Sequence, residues 1–261
     1  MKEFDNLCVV LARTRNPLNL GAVARAMSNF GVMDLRAVEP YEKAWREAES
    51  AVGAAEVMAQ AKEYAQLTEA VADCTLVVGT TAVGNREVKH PLYGLEEAAE
   101  MLHAAMEKGK VAVLFGSEKW GLSNEELSYC HWLMRIPTRV EHRSMNLGQA
   151  AAVVLYELRR RGSKGSKGGE GGEGGKGSRG EDIVGSGFAV EGGSGMARLE
   201  TVERIGEALL ETLHKSGYIA PRGEEMAEEK LRRMLRRFSM TESDAEVFLG
   251  MVRKILWKLE N

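Results

Sequence analysis

The sequence predicts an α/β protein, a mainly parallel sheet with helices on both faces, followed by a small helical unit. Three observations carry this. Short apolar runs rich in Val, Leu and Cys alternate with helical stretches, the order that parallel sheets require. The runs are apolar at consecutive positions, as strands buried on both faces are. The 261 residues, 44% apolar and 28% charged, suit one sizeable globular domain plus a smaller one.

In order, Leu7–Leu11 (L-C-V-V-L) reads as the first strand, followed by the polar turn A-R-T-R-N-P-L-N-L-G. Gly21 to Asn29 reads as a helix with Ala and Val inward, closed by Phe30-Gly31. Leu35–Val38 is the second strand, and the Ala- and Glu-rich stretch Lys43–Gln66 is helical in two pieces broken near Gly53. Cys74–Gly79 is the third strand, with the loop T-T-A-V-G-N-R-E-V-K-H-P after it. An amphipathic helix spans Gly94 to Lys108, and Lys110–Phe115 is the fourth strand. The loop Gly116–Asn124 ends at Ser123, a cap for a short helix Glu125–Cys130, and His131–Ile136 is the fifth strand. Proline forces Ile136 into extended backbone, a charged loop follows, and Ser144 or Asn146 caps the apolar helix Gly148–Leu158.

Residues 1–161 thus form one domain. Gly162–Gly195 is mostly Gly, Ser and paired opposite charges, too poor in apolar area to offset its ordering entropy. It reads as a flexible tether with a root-mean-square span on the order of 30 Å. Residues 196–261 carry three helices, Ala197–Lys215, Glu224–Phe238 and Ala245–Leu259, the last preceded by a Thr241-x-x-Asp244 capping box. The second helix sets basic residues, Lys230, Arg232, Arg233, Arg236 and Arg237, against acidic ones, Glu224, Glu225, Glu228 and Glu229. That basic face is either solvated or a contact for RNA phosphates.

Several classes are excluded. A net charge of −3 argues against a uniformly basic nucleic-acid binder, leaving only local patches. No apolar window reaches a membrane-spanning length, and M-K-E-F-D-N-L-C lacks a signal-peptide core, so a cytoplasmic protein is expected. Cys8, Cys74 and Cys130 are odd in number and far apart, and read as reduced core thiols. No His/Cys/Asp/Glu cluster has metal-ligand spacing, so no metal is expected. No G-x-G-x-x-G follows the first strand, which disfavours a dinucleotide oxidoreductase.

Three segments follow the C-terminal ends of expected parallel strands, the rim where open α/β sheets place ligands. They are Asn19-x-Gly21-x-x-x-Arg25, Phe115-Gly116-Ser117-Glu118-x-x-Gly121-Leu122, and Ile136-Pro137 with Ser144-Met145-Asn146-Leu147. In this order and spacing they resemble the signature motifs of the SPOUT superfamily of knotted methyltransferases, in its SpoU/TrmH branch. Within it the chain most resembles the TrmJ group, the tRNA (cytidine/uridine-2′-O-)-methyltransferases. The resemblance covers about residues 5–160 and extends to the helical C-terminal unit, although the Gly-rich tether is long and repetitive for that group.

The resemblance implies a C-terminal deep trefoil knot holding S-adenosyl-L-methionine, a homodimer, and methylation of a ribose 2′-hydroxyl in tRNA, at C or U of nucleotide 32. The same chemistry on ribosomal RNA or another tRNA nucleotide is the alternative, and a non-catalytic RNA- or nucleotide-binding module is a further one. Carried over, Gly116, Ile136, Ser144, Met145, Asn146 and Leu147, with Thr80, Thr81 and Ala82, hold the cofactor. Flat, neutral adenine suits apolar walls such as Ile136, Met145 and Leu147, and Gly116 admits a close backbone approach. Arg25 is the family's catalytic arginine and Asn19 holds the ribose or Arg25. A guanidinium is a poor base, so Arg25 is expected to orient a phosphate and stabilise charge on the attacking oxygen, with direct proton abstraction as the open alternative. Loop cations at the same rim, Arg13, Arg15, Arg86, Lys89, Arg139 and Arg143, are the expected RNA contacts.

Overall fold

The computed structural model describes residues 4–41, 55–82, 89–165, 195–219 and 224–260. Among these, seven strands form one sheet: β1 (Leu7–Ala12), β2 (Asp34–Val38), β3 (Lys62–Tyr64), β4 (Leu76–Thr80), β5 (Leu92–Gly94), β6 (Val111–Phe115) and β7 (Trp132–Arg135). Their order is β3-β2-β1-β6-β4-β7-β5, and every pairing is parallel. All strand C-termini therefore point to one rim.

Among the described residues six helices accompany the sheet: α1 (Pro17–Phe30), α2 (Ala55–Gln60), α3 (Leu67–Val71), α4 (Leu95–Met106), α5 (Asn124–Ser128) and α6 (Leu147–Gly165). Along β1, Leu7, Val9 and Leu11 face a core shared with α1, α2, α4 and α6. The intervening Cys8, Val10 and Ala12 face the other side, where α3 and α5 pack. This two-sided burial is why the strand is apolar throughout. The free thiols Cys8, Cys74 and Cys130 are all buried.

Two strands are absent from the sequence reading. Lys62–Tyr64 was expected to be helix and Leu92–Gly94 a loop running into one, yet both pair as three-residue edge strands. An edge strand this short is held by backbone hydrogen bonds and has too few inward side chains to show a period. Helix α1 also starts earlier than expected, because Asn16 caps it, its side chain accepting from the Leu18 amide at 2.9 Å, and Pro17 opens it. Helix α6 continues past Leu158 to Gly165, and the rest of the expected tether through residue 194 lies outside the described residues.

The C-terminal helices are α7 (Leu199–Lys215), α8 (Glu224–Arg237) and α9 (Glu242–Glu260). They share a small core of their own, and Leu199 packs into the α3/α5 side of the sheet. The Leu199 and Glu200 amides donate to the Cys74 and Ala72 carbonyls at 2.9 and 3.1 Å. Much of the basic run on α8 turns inward. Arg232 lies 4.1 Å from the Tyr129 ring centre and donates to Ser128 Oγ at 3.1 Å, while Arg236 is buried against Glu203. Arg232 thus ties the helical unit to α5 and Arg236 ties α8 to α7, leaving Lys230 and Arg237 exposed on this run.

At the opposite rim, buried Arg36 bridges Asp34 and Asp73, its Nη2 donating at 2.8 and 2.9 Å, with Lys110 2.6 Å from Asp34. These cations outweigh the effect of burial and hold both carboxyls below the usual range, Asp73 at about 2. No helix among the described residues is long and apolar enough to cross a membrane.

Candidate active site

Loops leaving β4, β6 and β7 enclose a cavity of about 370 Å³ at the C-terminal rim. Its apolar walls include Leu122, Met134, Ile136, Met145 and Leu147, and its polar side is made of Thr80–Ala82 and Ser117. Thr80 Oγ1 donates to the Leu114 carbonyl at 2.9 Å and the Thr81 amide to that of Met134 at 3.0 Å, so this edge is fixed to both neighbouring strands.

The loop after β6 is folded tightly on itself. A Cβ on Gly116 would lie 2.0 Å from the Gly121 carbonyl carbon and 2.2 Å from the Leu122 nitrogen. Glycine is therefore required there by the returning chain. Gly121 adopts φ +68° and its amide donates to the Ser117 carbonyl at 2.8 Å, closing the turn.

One chain of side-chain amides ties the three motifs together. Asn146 Oδ1 accepts from the Gly148 and Gln149 amides at 3.0 and 3.3 Å, capping α6. That leaves Asn146 Nδ2 to donate to Asn19 Oδ1 at 2.8 Å. Asn19 Nδ2 must then donate outward, and it meets Glu118 Oε1 at 3.0 Å, which also accepts from the Asn16 amide at 3.3 Å. Backbone amides at one end thus set the orientation of every group along the chain.

Residues 6–156 match the SpoU rRNA Methylase family. The chain belongs to that family. The tRNA (cytidine/uridine-2′-O-)-methyltransferase TrmJ of Pectobacterium atrosepticum is 30% identical over 253 residues, 97% of each chain. An uncharacterized tRNA/rRNA methyltransferase of Haemophilus influenzae is 38% identical over 156 residues, 60% of this chain and 64% of that protein. The crystal structure of TrmJ from Z. mobilis ZM4 superposes with a TM-score of 0.74 at 29% identity, over 95% of this chain and 98% of that one. The all-parallel sheet and its flanking helices are those of a SpoU methylase, and the chain is a methyltransferase.

Within this SpoU fold, the structure brings Thr80, Thr81, Ala82, Gly116, Ile136, Ser144, Met145 and Leu147 to the cavity lining. Asn146 is not among the lining residues; its amide is spent on the α6 cap and on Asn19. Asn19, expected to hold the ribose or Arg25, has its amide joined to Asn146 and Glu118. Arg25 stands on the exposed face of α1, outside the lining, with no hydrogen bond or ion pair among the described residues.

The expected RNA-contacting cations are scattered. Arg143 lines the cavity mouth, whereas Arg15, Lys89 and Arg139 are exposed, the last 3.6 Å from Glu141. Arg13, in left-handed backbone at φ 54°, turns away to pair with Glu126 at 2.7 Å. Arg86 lies outside the described residues. His131 is neutral, pushed down to about 3 by burial beside Arg236, and accepts from the Val77 amide at 3.1 Å. Among the described residues no three His, Cys, Asp or Glu stand close enough to hold a metal. Lys119 and Trp120, both lining the cavity, carried no signal in sequence beyond falling between Glu118 and Gly121.

Proposed function

We propose that this chain transfers a methyl group from S-adenosylmethionine to the ribose 2′-oxygen of cytidine or uridine at tRNA nucleotide 32, acting as a cytoplasmic homodimer. The observation that supports it best is the Asn146–Asn19–Glu118 chain, which draws all three motifs around one cavity. The names of the similar proteins supply the substrate class.

The residues present fit the cofactor. A cavity of about 370 Å³ is within the range of small-ligand sites, apolar on one side and hydrogen-bonding on the other. Ile136, Met145 and Leu147 offer apolar contact for adenine, and Thr80–Ala82 line the polar side of the cavity. The bound cofactor supplies a methyl group on a positively charged sulfur, a good leaving group.

The protein's own work is then alignment. Arg25, exposed and without an ion pair among the described residues, orients the nucleotide by its phosphate and stabilises negative charge on the 2′-oxygen, because a guanidinium holds its proton. Its place outside the cavity lining fits a dimer in which each Arg25 serves the other subunit's cavity. The exposed apolar residues Leu18 on α1 and Tyr156 on α6 suit the packing of such a pair. The deep trefoil knot around the cavity belongs to the same reading.

Incubation with methyl-labelled cofactor and tRNA transcripts, then mass-spectrometric mapping, tests it. One ribose methyl at nucleotide 32 is expected, abolished by 2′-deoxy substitution there. Label retained on the deoxy substrate would overturn the proposal.

A further inference from the structure

Trp120 stands at the mouth of the cavity and is 73% exposed. Single apolar residues at a surface are ordinary, but this one differs from a stray side chain in three respects. First, its loop is closed by several contacts. Gly116 and Gly121 touch, the Gly121 amide closes on the Ser117 carbonyl, and the Glu118 carboxylate is gripped by Asn19 and the Asn16 amide. The indole thus projects from a turn whose two flanks are tied to neighbouring backbone and side chains. Second, it lines the cavity beside which, on the reading above, a ribose is presented. Third, Lys119 Nζ sits over one face of the indole, 4.7 Å from the ring centre, so a base would stack on the other face with this cation near its phosphate.

We propose that Trp120 is the stacking platform for the base of the target nucleotide, with Lys119 contacting the adjoining phosphate. The inference rests on the RNA-methylation reading above and adds the site that receives the base. A nucleotide whose 2′-oxygen reaches into this cavity must leave the stack of its neighbours. That loss is offset if the base gains an aromatic face outside the stack. Every base has such a face, so Trp120 sets affinity and orientation, while selection of C or U lies with other groups.

The experiment compares wild type, Trp120→Ala and Trp120→Phe on two RNAs, one intact and one abasic at the methylated nucleotide with its ribose retained. On intact RNA, Trp120→Ala should lower kcat/KM by roughly 5- to 150-fold, and Trp120→Phe should recover much of it. On abasic RNA the alanine variant should match wild type. Titration with S-adenosylhomocysteine should give the same affinity in all three proteins, and sedimentation the same oligomeric state.

An undiminished kcat/KM in Trp120→Ala would overturn the proposal. So would an equal loss on abasic RNA, weakened S-adenosylhomocysteine binding, or a changed oligomeric state, which would mark a cofactor wall or a subunit contact. Absence of methylation by wild type would instead defeat the functional reading, and this inference with it.

Discussion

Replacing Asn146 with Ala would remove two things at once, and the structure lets them be separated. The first is the cap on α6, two backbone amides accepted by Asn146 Oδ1 at 3.0 and 3.3 Å. An N-cap is worth about 1 kcal/mol. The second is the donation to Asn19 Oδ1 at 2.8 Å, worth about 1 kcal/mol at this half-exposed position. The expected loss is about 2 kcal/mol, a fall in melting temperature of roughly 4–8 °C for a unit of this size. Asn146→Ser keeps a capping oxygen but cannot reach Asn19, so it should lose about half as much. Differential scanning fluorimetry measures both, and titration with S-adenosylhomocysteine reports whether Ser144 and Met145 stay in place. Melting of Asn146→Ala within about 1 °C of wild type would refute the energetic argument. Equal losses in the Ala and Ser variants would refute its division into cap and link.

Gly116→Ala forces a methyl group to within 2.0 Å of backbone that cannot rotate away, so about 3 kcal/mol of stability should be lost, together with S-adenosylhomocysteine binding; a thermal melt and a titration check both. Arg25→Ala should lower kcat on the order of 10²- to 10³-fold while S-adenosylhomocysteine affinity, measured by calorimetry, stays within about twofold. Because Arg36 and Lys110 hold Asp34 and Asp73 below their unfolded values, the stability these carboxylates contribute is present above about pH 4 and lost as pH falls towards about 2. Arg36→Met should therefore melt lower at neutral pH, by about 3 kcal/mol, and show a shallower decline in acid, measured by urea titration at a series of pH values.

Legibility varied with how much of a residue's role lies in its own side chain. Strands β1 and β6 announce themselves because five or more consecutive residues are buried. Lys62–Tyr64 and Leu92–Gly94 do not, since what places them is the hydrogen-bonding edge of a neighbour. The start of α1 is set by the Asn16 cap and Pro17, upstream of the Gly21 at which the apolar spacing begins the helix. Cavity walls such as Ile136 and Leu147 followed from motifs at strand ends. The direction of each amide in the Asn146–Asn19–Glu118 chain did not, because it depends on contacts across 127 and 99 residues. Gly116 reads in sequence as a point of close backbone approach, and the backbone that comes close there is that of Gly121 and Leu122. Likewise nothing in the run Lys230–Arg237 marks Arg236 as the arginine that is buried.

The strand order has a consequence for biosynthesis. β1, made first, pairs with β2 on one side, but its other edge waits for β6, about a hundred residues later. Likewise β5 docks only on β7, which follows β6. A nascent chain halted near residue 100 thus carries Leu7–Ala12 as an open, wholly apolar edge, the kind of surface that pairs with the wrong partner. Slow emergence of the middle of this chain should therefore be more hazardous than slow emergence of its end, and chaperone dependence should peak before β6 leaves the ribosome.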